Sequence, residues 1–271
     1  MRNIVVGMIM VTLVMGAVVR AETLQIDGST TVGPIADAFA EYFKSVQPDL
    51  AITVKKTGSG DGAAALIDGR CDIATMSRFM KPEEFQKAVG NNVMPVAHVV
   101  AMDGVCVVVH PSNPVKALTS AQVRDIYTGK ITNWSQVGGS NTPIVAISRD
   151  TSSGTYETFE LLVMHKEKIV ADAEYVGSNG QAHQRVRSTE GAIGYVGLGF
   201  VQGVKPLSIN NVAPDHATVA SGRYPIARPL FMFTNGYPKL GSTVHKFVTF
   251  YLTEKGQELV EAKGYVPLTN Y

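Results

Sequence analysis

The sequence predicts an α/β protein of two lobes, each a mostly parallel sheet flanked by helices, and three observations point there. Short β-branched runs alternate with helical ones, and the first ~80 residues, from Thr23 on, read βαβαβ, which implies parallel strands joined by right-handed crossovers. The middle of the chain repeats that alternation, and no linker, charge run or sequence repeat separates the two parts, so the chain is expected to cross between lobes more than once. With 271 residues, 45% of them apolar and 17% charged, the chain suits one large domain or two modest ones and carries enough apolar side chains for a core.

Thr23–Asp27 and Ala51–Lys55 read as strands, with a helix over Pro34–Val46 between them. Ile35, Ala38, Phe39, Tyr42, Phe43 and Val46 recur at helical spacing and form one stripe to bury. A second helix is expected over Asp61–Asp68 and a third strand over Asp72–Ser77. Val105–Val109 is β-branched enough to be a strand leaving the first lobe. The second lobe then takes a helix at Ser120–Thr128, a strand at Ile144–Ser148, a helix from Thr155 and a strand near Ala192–Val196. The tail returns a strand at Leu230–Phe233 and an amphipathic helix at Val244–Leu252.

Before the first strand, Arg2 precedes sixteen apolar or small residues, Ile4–Val19, and then Val19-Arg20-Ala21. A basic start, an apolar run and small residues before a break describe a secretory signal peptide over residues 1–21, cleaved after Ala21. Sixteen residues fall short of the roughly 20 that a spanning helix needs. Removing the leader leaves 22 basic against 23 acidic residues. An exported chain meets an oxidising compartment, where Cys71 and Cys106 either pair or stay as two buried thiols.

Composition excludes several function classes. Twenty-four basic against 23 acidic residues and a pI near 7.8 lack the surplus of a nucleic-acid binder. Two Cys rule out a disulfide-dense scaffold and a four-Cys zinc site, and the six His form no HExxH. No metal and no cofactor is expected. Gly129-Lys130 is followed by Ile131 and preceded, five positions back, by Arg124, so it is no Walker loop. No GxGxxG follows the first strand, and neither Ser59 nor Ser153 sits in a GxSxG elbow.

What remains is three clusters of hydroxyls and glycines at three helix starts. They are Asp27-Gly28-Ser29-Thr30-Thr31-Val32-Gly33-Pro34, Thr57-Gly58-Ser59-Gly60-Asp61-Gly62 and Thr151-Ser152-Ser153-Gly154-Thr155. A helix N-terminus leaves four amide N–H groups unpaired and carries about +0.5 charge. Hydroxyls add donors, and glycine lets an oxyanion approach the backbone. One such cluster is an ordinary N-cap; three, on two lobes, suggest a tetrahedral oxyanion held in a cleft. Arg149 supplies a full charge with fork geometry, unless it is a surface residue paired with Asp150.

The mature chain resembles the periplasmic phosphate-binding proteins of high-affinity phosphate ABC transporters. The resemblance rests on Gly28-Ser29-Thr30-Thr31 with Pro34, on Gly58-Ser59-Gly60-Asp61-Gly62, on Cys71-Asp72-Ile73-Ala74 with Ser77-Arg78, and on Gly191-Ala192-Ile193-Gly194-Tyr195-Val196. Most telling are Ile126-Tyr127-Thr128-Gly129-Lys130-Ile131-Thr132-Asn133-Trp134 and Arg149-Asp150-Thr151-Ser152-Ser153-Gly154-Thr155. It implies a type II periplasmic-binding (Venus-flytrap) fold, with residues 22–104 and 228–271 in one lobe and 105–227 in the other. It also implies a monomeric, non-enzymatic binder that delivers phosphate to membrane permease subunits.

Carried over by position, the ligand contacts are Thr30, Thr31 and Ser59 from one lobe and Arg149, Ser153, Gly154 and Thr155 from the other. Ser77 stands where close family members place an Asp that accepts the proton of phosphate. That departure leaves Asp61 as a substitute acceptor or as a first-turn acid meeting the helix dipole. Arg78 either contacts the anion or pairs with an acid. Other readings are sulfate, molybdate or tungstate as ligand, an exported phosphate-ester hydrolase, and a signalling module that kept the fold alone.

Overall fold

Apolar alternation puts three strands and two helices at the start of the described chain, residues 23–269 of a computed structural model. They are β1 (Thr23–Gly28), α1 (Gly33–Val46), β2 (Ala51–Val54), α2 (Ser59–Ile67) and β3 (Ile73–Met76), followed by α3 (Pro82–Gly90). The expected leader lies outside the described residues. β1 pairs in parallel with β2 on one side and β3 on the other, Ile26 facing both Val54 and Ile73. This is the βαβαβ unit that the spacing predicts.

β4 (Pro95–Val109) then runs for 15 residues into the second lobe. There follow β5 (Ala117–Leu118), α4 (Ser120–Tyr127), β6 (Val145–Arg149), α5 (Gly154–Phe159), β7 (Glu174–Val176), α6 (Asn179–Arg187) and β8 (Ala192–Gly197). After β9 (Lys205–Pro206), β10 (Ser208–Ile209) and α7 (His216–Ala220), β11 (Ala227–Asn235) returns to the first lobe, where α8 (Thr243–Val248) and α9 (Glu254–Ala262) complete it.

The strand order is β2-β1-β3-β11-β4-β8-β6-β7, with β9 also on β4. β4 belongs to both halves of that sheet. Pro95–Gly104 pairs antiparallel with β11, and Val105–Val109 pairs antiparallel with β8. The sequence marks only the second half as strand, because Pro95, His98, Asp103 and Gly104 break the β-branched run. The expected helix over Val244–Leu252 is also two pieces: α8 ends at Val248 and a 3₁₀ turn covers Phe250–Leu252. At the break, Thr249 Oγ1 donates to the His245 carbonyl at 2.7 Å, a side-chain bond that loosens helical pairing.

Two cores pack the faces of the first half-sheet. One joins α1 to the tail, with Phe39, Phe43, Phe247 and Phe250 at its centre. The other sets Leu66, Met76, Phe231 and Phe233 beneath α2. The second lobe closes on Val105–Val109, Tyr127, Trp134, Phe159 and Tyr195. Cys71 and Cys106 are free, buried thiols in separate cores. Burial, helped by Asp27 and Asp72, pushes Cys71 up to about 12, which leaves it an unreactive core residue.

Phe39 is fully buried, with edge contacts to Phe247 at 6.0 Å and Phe250 at 4.9 Å. Phe39→Ala is expected to lower stability by about 3–5 kcal/mol, measured as a shifted urea midpoint.

Candidate functional site

The first hydroxyl cluster follows β1 because the chain must turn sharply beside β3. Gly28 has φ +132°, and a Cβ there would fall 2.2 Å from the Thr75 carbonyl oxygen, so only glycine fits. Ser29 Oγ accepts the amide N–H groups of Thr31 and Val32 at 3.1 and 3.3 Å, and Pro34 is the second residue of α1. The second cluster lies against the first: Gly58 donates its amide to the Gly28 carbonyl at 2.8 Å. Ser59 opens α2, and its Oγ accepts the Ser77 amide at 3.0 Å and lies 3.3 Å from Ser77 Oγ.

The third cluster comes from the other lobe and meets both. Ser153 caps α5 by accepting the Tyr156 amide at 3.2 Å. The Gly60 amide donates to the Ser152 carbonyl at 2.9 Å, and Thr31 Oγ1 lies 3.0 Å from Thr155 Oγ1. A Cβ on Gly154 would stand 2.5 Å from Ser59 Oγ and 2.7 Å from Ser77 Oγ. Three helix N-termini from two lobes therefore converge, with the lobes closed on each other.

Arg149 is the charge in this convergence. It is 1% exposed and is held by neutral oxygens: Nε donates to the Val176 carbonyl at 3.1 Å and Nη2 to the Gly177 carbonyl at 3.0 Å. Nη2 also lies 3.4 Å from Thr30 Oγ1, and Nη1 is buried with no partner. It is thus no surface residue paired with Asp150. Burial lowers its pKa to about 10, with Arg228 adding to the effect against Asp150, so it stays charged at neutral pH.

Three residues join the site without having been singled out in the sequence. Asn179, first residue of α6, donates from Nδ2 to Thr30 Oγ1 at 3.0 Å and Thr31 Oγ1 at 2.9 Å, while its Oδ1 accepts the Gly197 amide. It adds a fourth helix N-terminus. Arg228 on β11 donates to Asp103 Oδ2 of β4 from Nε at 3.0 Å and from Nη2 at 2.9 Å. The same Nη2 reaches Thr155 Oγ1 at 2.9 Å, and Nη1 reaches the Gly154 carbonyl at 3.0 Å. Asp103 is fully buried, and burial pushes its carboxyl up while Arg228 and the Leu198 amide pull it back. The signal for this pair was a lone charge inside each of two apolar strands; Asn179 sits in a helix with too few apolar residues to show periodicity.

Of the expected contacts, Thr30, Thr31, Ser59, Ser77, Arg149, Ser153, Gly154 and Thr155 are brought together. Asp61 is not: it is exposed on the first turn of α2. Arg78 pairs with acids, Glu84 at 2.6 Å and Glu157 at 2.6 Å. At the margins of the clusters Thr57 Oγ1 donates to Asp27 Oδ1 at 2.7 Å and Ser152 Oγ to Asp150 Oδ1 at 2.8 Å, whereas among the described residues no carboxylate bonds to the hydroxyls of Thr30, Thr31, Ser59, Ser77, Ser153 or Thr155.

Compared with known proteins, the model for the PBP superfamily domain matches residues 19–255. The chain belongs to that superfamily. It is 33% identical over 258 residues to protein SphX of Synechococcus elongatus, covering 89% of this chain and 76% of the relative. It is 30% identical over 255 residues to the phosphate-binding protein PstS of Borreliella burgdorferi, covering 90% and 89%. Among solved structures, a substrate-binding protein of Clostridium perfringens with bound phosphate superposes with TM-score 0.85 at 33% identity. That match covers 92% of this chain and all of the other.

Removing one partner of a buried ion pair leaves the other charge without compensation. Asp103→Ala is expected to lower stability by about 3–5 kcal/mol, read from equilibrium urea unfolding.

Proposed function

We propose that this chain is an extracytoplasmic solute-binding protein, exported by a cleaved leader, that captures inorganic phosphate between its lobes as a monomer. It hands the anion to the membrane permease of an ABC transporter and performs no catalysis. One observation carries the reading: Arg149 is a buried cation with no acid partner and an unused N–H, set among hydroxyls from both lobes. A buried charge without a counter-ion is unfavourable, and a tetrahedral oxyanion would compensate it. The names of the relatives, PstS and the phosphate-bound C. perfringens protein, favour phosphate over other oxyanions and a binder over an enzyme.

The donor set suits such an anion. Asn179 Nδ2 donates to the oxygens of Thr30 and Thr31, and Arg228 to those of Thr31 and Thr155. Thr31 and Thr155 spend one proton between their two oxygens, which leaves the Thr30 hydroxyl and one of that pair as preorganised donors. Ser59, Ser153 and the Gly154 amide add to them at helix N-termini, and Ser77 adds a hydroxyl just past the end of β3. A ligand touched from both lobes stabilises the closed form over the open one.

Selectivity follows from the missing carboxylate. A carboxylate would reject sulfate, because it needs the proton that phosphate carries. A serine hydroxyl both donates and accepts, so Ser77 tolerates either anion. Asp61 is too exposed to serve as the acceptor.

Calorimetry on ligand-stripped protein is expected to show one phosphate per chain, with sulfate competing measurably. Absence of heat and of a thermal shift at millimolar phosphate would refute the reading. Arg149→Met should weaken phosphate roughly hundredfold or more, since a charged hydrogen-bond partner is lost. Ser77→Asp should exclude sulfate, and Asp61→Asn should leave the phosphate-to-sulfate ratio unchanged.

A further inference from the structure

Beside the anion cluster, but outside it, four charges meet across the cleft. Arg78, which follows β3, is fixed from within its own lobe. Its Nη1 and Nη2 donate to Glu84 at 2.7 and 2.6 Å, and Nη1 also reaches the Phe79 carbonyl at 3.0 Å. Glu84 is held in turn by the Lys81 amide at 2.9 Å, where it closes the capping box of α3. Across the cleft Glu157 Oε2 lies 2.6 Å from Arg78 Nε and Oε1 lies 3.1 Å from Lys81 Nζ, ion pairs by proximity in which Arg78 Nε and Glu157 Oε1 make no hydrogen bond. The Arg78 and Glu157 side chains are 8% and 15% exposed.

Glu157 belongs to α5, one turn beyond Gly154, so the helix that offers its N-terminus to the anion also carries the acid that meets Arg78. The side of the cleft bearing Arg78, Lys81 and Glu84 holds a surplus of one positive charge, matched by the single carboxylate from the other side. Resting on the phosphate-binding reading, we propose that Arg78, Lys81 and Glu157 form an electrostatic latch between the lobes, positioning residues that lengthen the life of the closed state without touching the ligand. The Arg78 half is preassembled by Glu84, so closing orders one side chain, Glu157, rather than two. In the closed arrangement burial pushes the Glu157 carboxyl up while Arg78 and Lys81 hold it down.

The test is Glu157→Gln, which keeps the shape and leaves Arg78 paired with Glu84. Stopped-flow release of phosphate should quicken roughly tenfold or more, with the association rate changed less than about twofold. The melting temperature of stripped protein should hold, while the phosphate-induced rise shrinks. Lys81→Met, at a half-exposed position, should give a smaller change in the same direction. Unchanged release in both variants overturns the latch, as does a fall in the melting temperature of stripped Glu157→Gln that matches the fall with phosphate bound. Donor and acceptor dyes on the two lobes give an arm that needs no ligand: Glu157→Gln should lengthen their mean separation, and no lengthening overturns the latch. If wild-type protein binds no phosphate, the functional reading fails, and the dye separation still decides the latch.

Discussion

The closed arrangement depends on a buried ion pair where the two lobes join. Asp103 and Arg228 are directly opposed on β4 and β11, the strands that link the lobes, and they are 0% and 5% exposed. Burying such a pair is unfavourable unless nearly every donor and acceptor is used, and here they are. Arg228 donates to Asp103, Thr155, Thr158, the Gly154 carbonyl and, at 3.4 Å, Thr31, while Asp103 also accepts the Leu198 amide. One guanidinium thereby fixes hydroxyls from both sides of the cleft. Its charge is neutralised by Asp103, which leaves Arg149, among the described residues of this cluster, as the cation without a carboxylate.

Around Arg149 the cluster is otherwise built from neutral groups, hydroxyls and helix amides. A second free cation would strengthen attraction for any anion without favouring a tetrahedral one. Hydroxyls and helix amides instead specify directions, and their dipoles are paid no reorganisation when the ligand arrives. The glycines make the close approach possible. At Gly154 a methyl group would collide with two serine oxygens of the opposite lobe, so the absence of a side chain there lets the lobes meet.

Much of this was legible in the sequence, and the rest was hidden for physical reasons. Each hydroxyl cluster announced itself because capping chemistry is local: Ser153 bonds an amide three residues on. The parallel βαβαβ start was legible because apolar periodicity is local too. What pairs across long separations was not. Asp103 and Arg228 are 125 residues apart, and Asn179 reaches Thr30 over 149. Asp61 misled for the opposite reason: its position beside Ser59 is close in sequence, yet a helix turns successive residues by about 100°, and Asp61 faces solvent while Ser59 is buried. Ser77, 18 residues on from Ser59 and just past the end of β3, is the residue that meets it.

The junction itself shows how a continuous sheet can serve two bodies. β4 keeps one hydrogen-bonded ribbon through both lobes but changes partners at Gly104–Val105. A Cβ on Gly104 would lie 2.9 Å from the Val219 side chain and 3.3 Å from Tyr224, so the change of partner occurs where the backbone is crowded from the second lobe. β11 carries a register shift between Leu230 and Phe231, and such bulges sharpen local twist. Twist concentrated at that step, next to an ion pair set in register one residue before Gly104, lets the two half-sheets differ in direction without an unpaired strand edge between them. The lobes are therefore joined by paired backbone rather than by a loose tether, and the Asp103–Arg228 pair sits on the two strands that make the join.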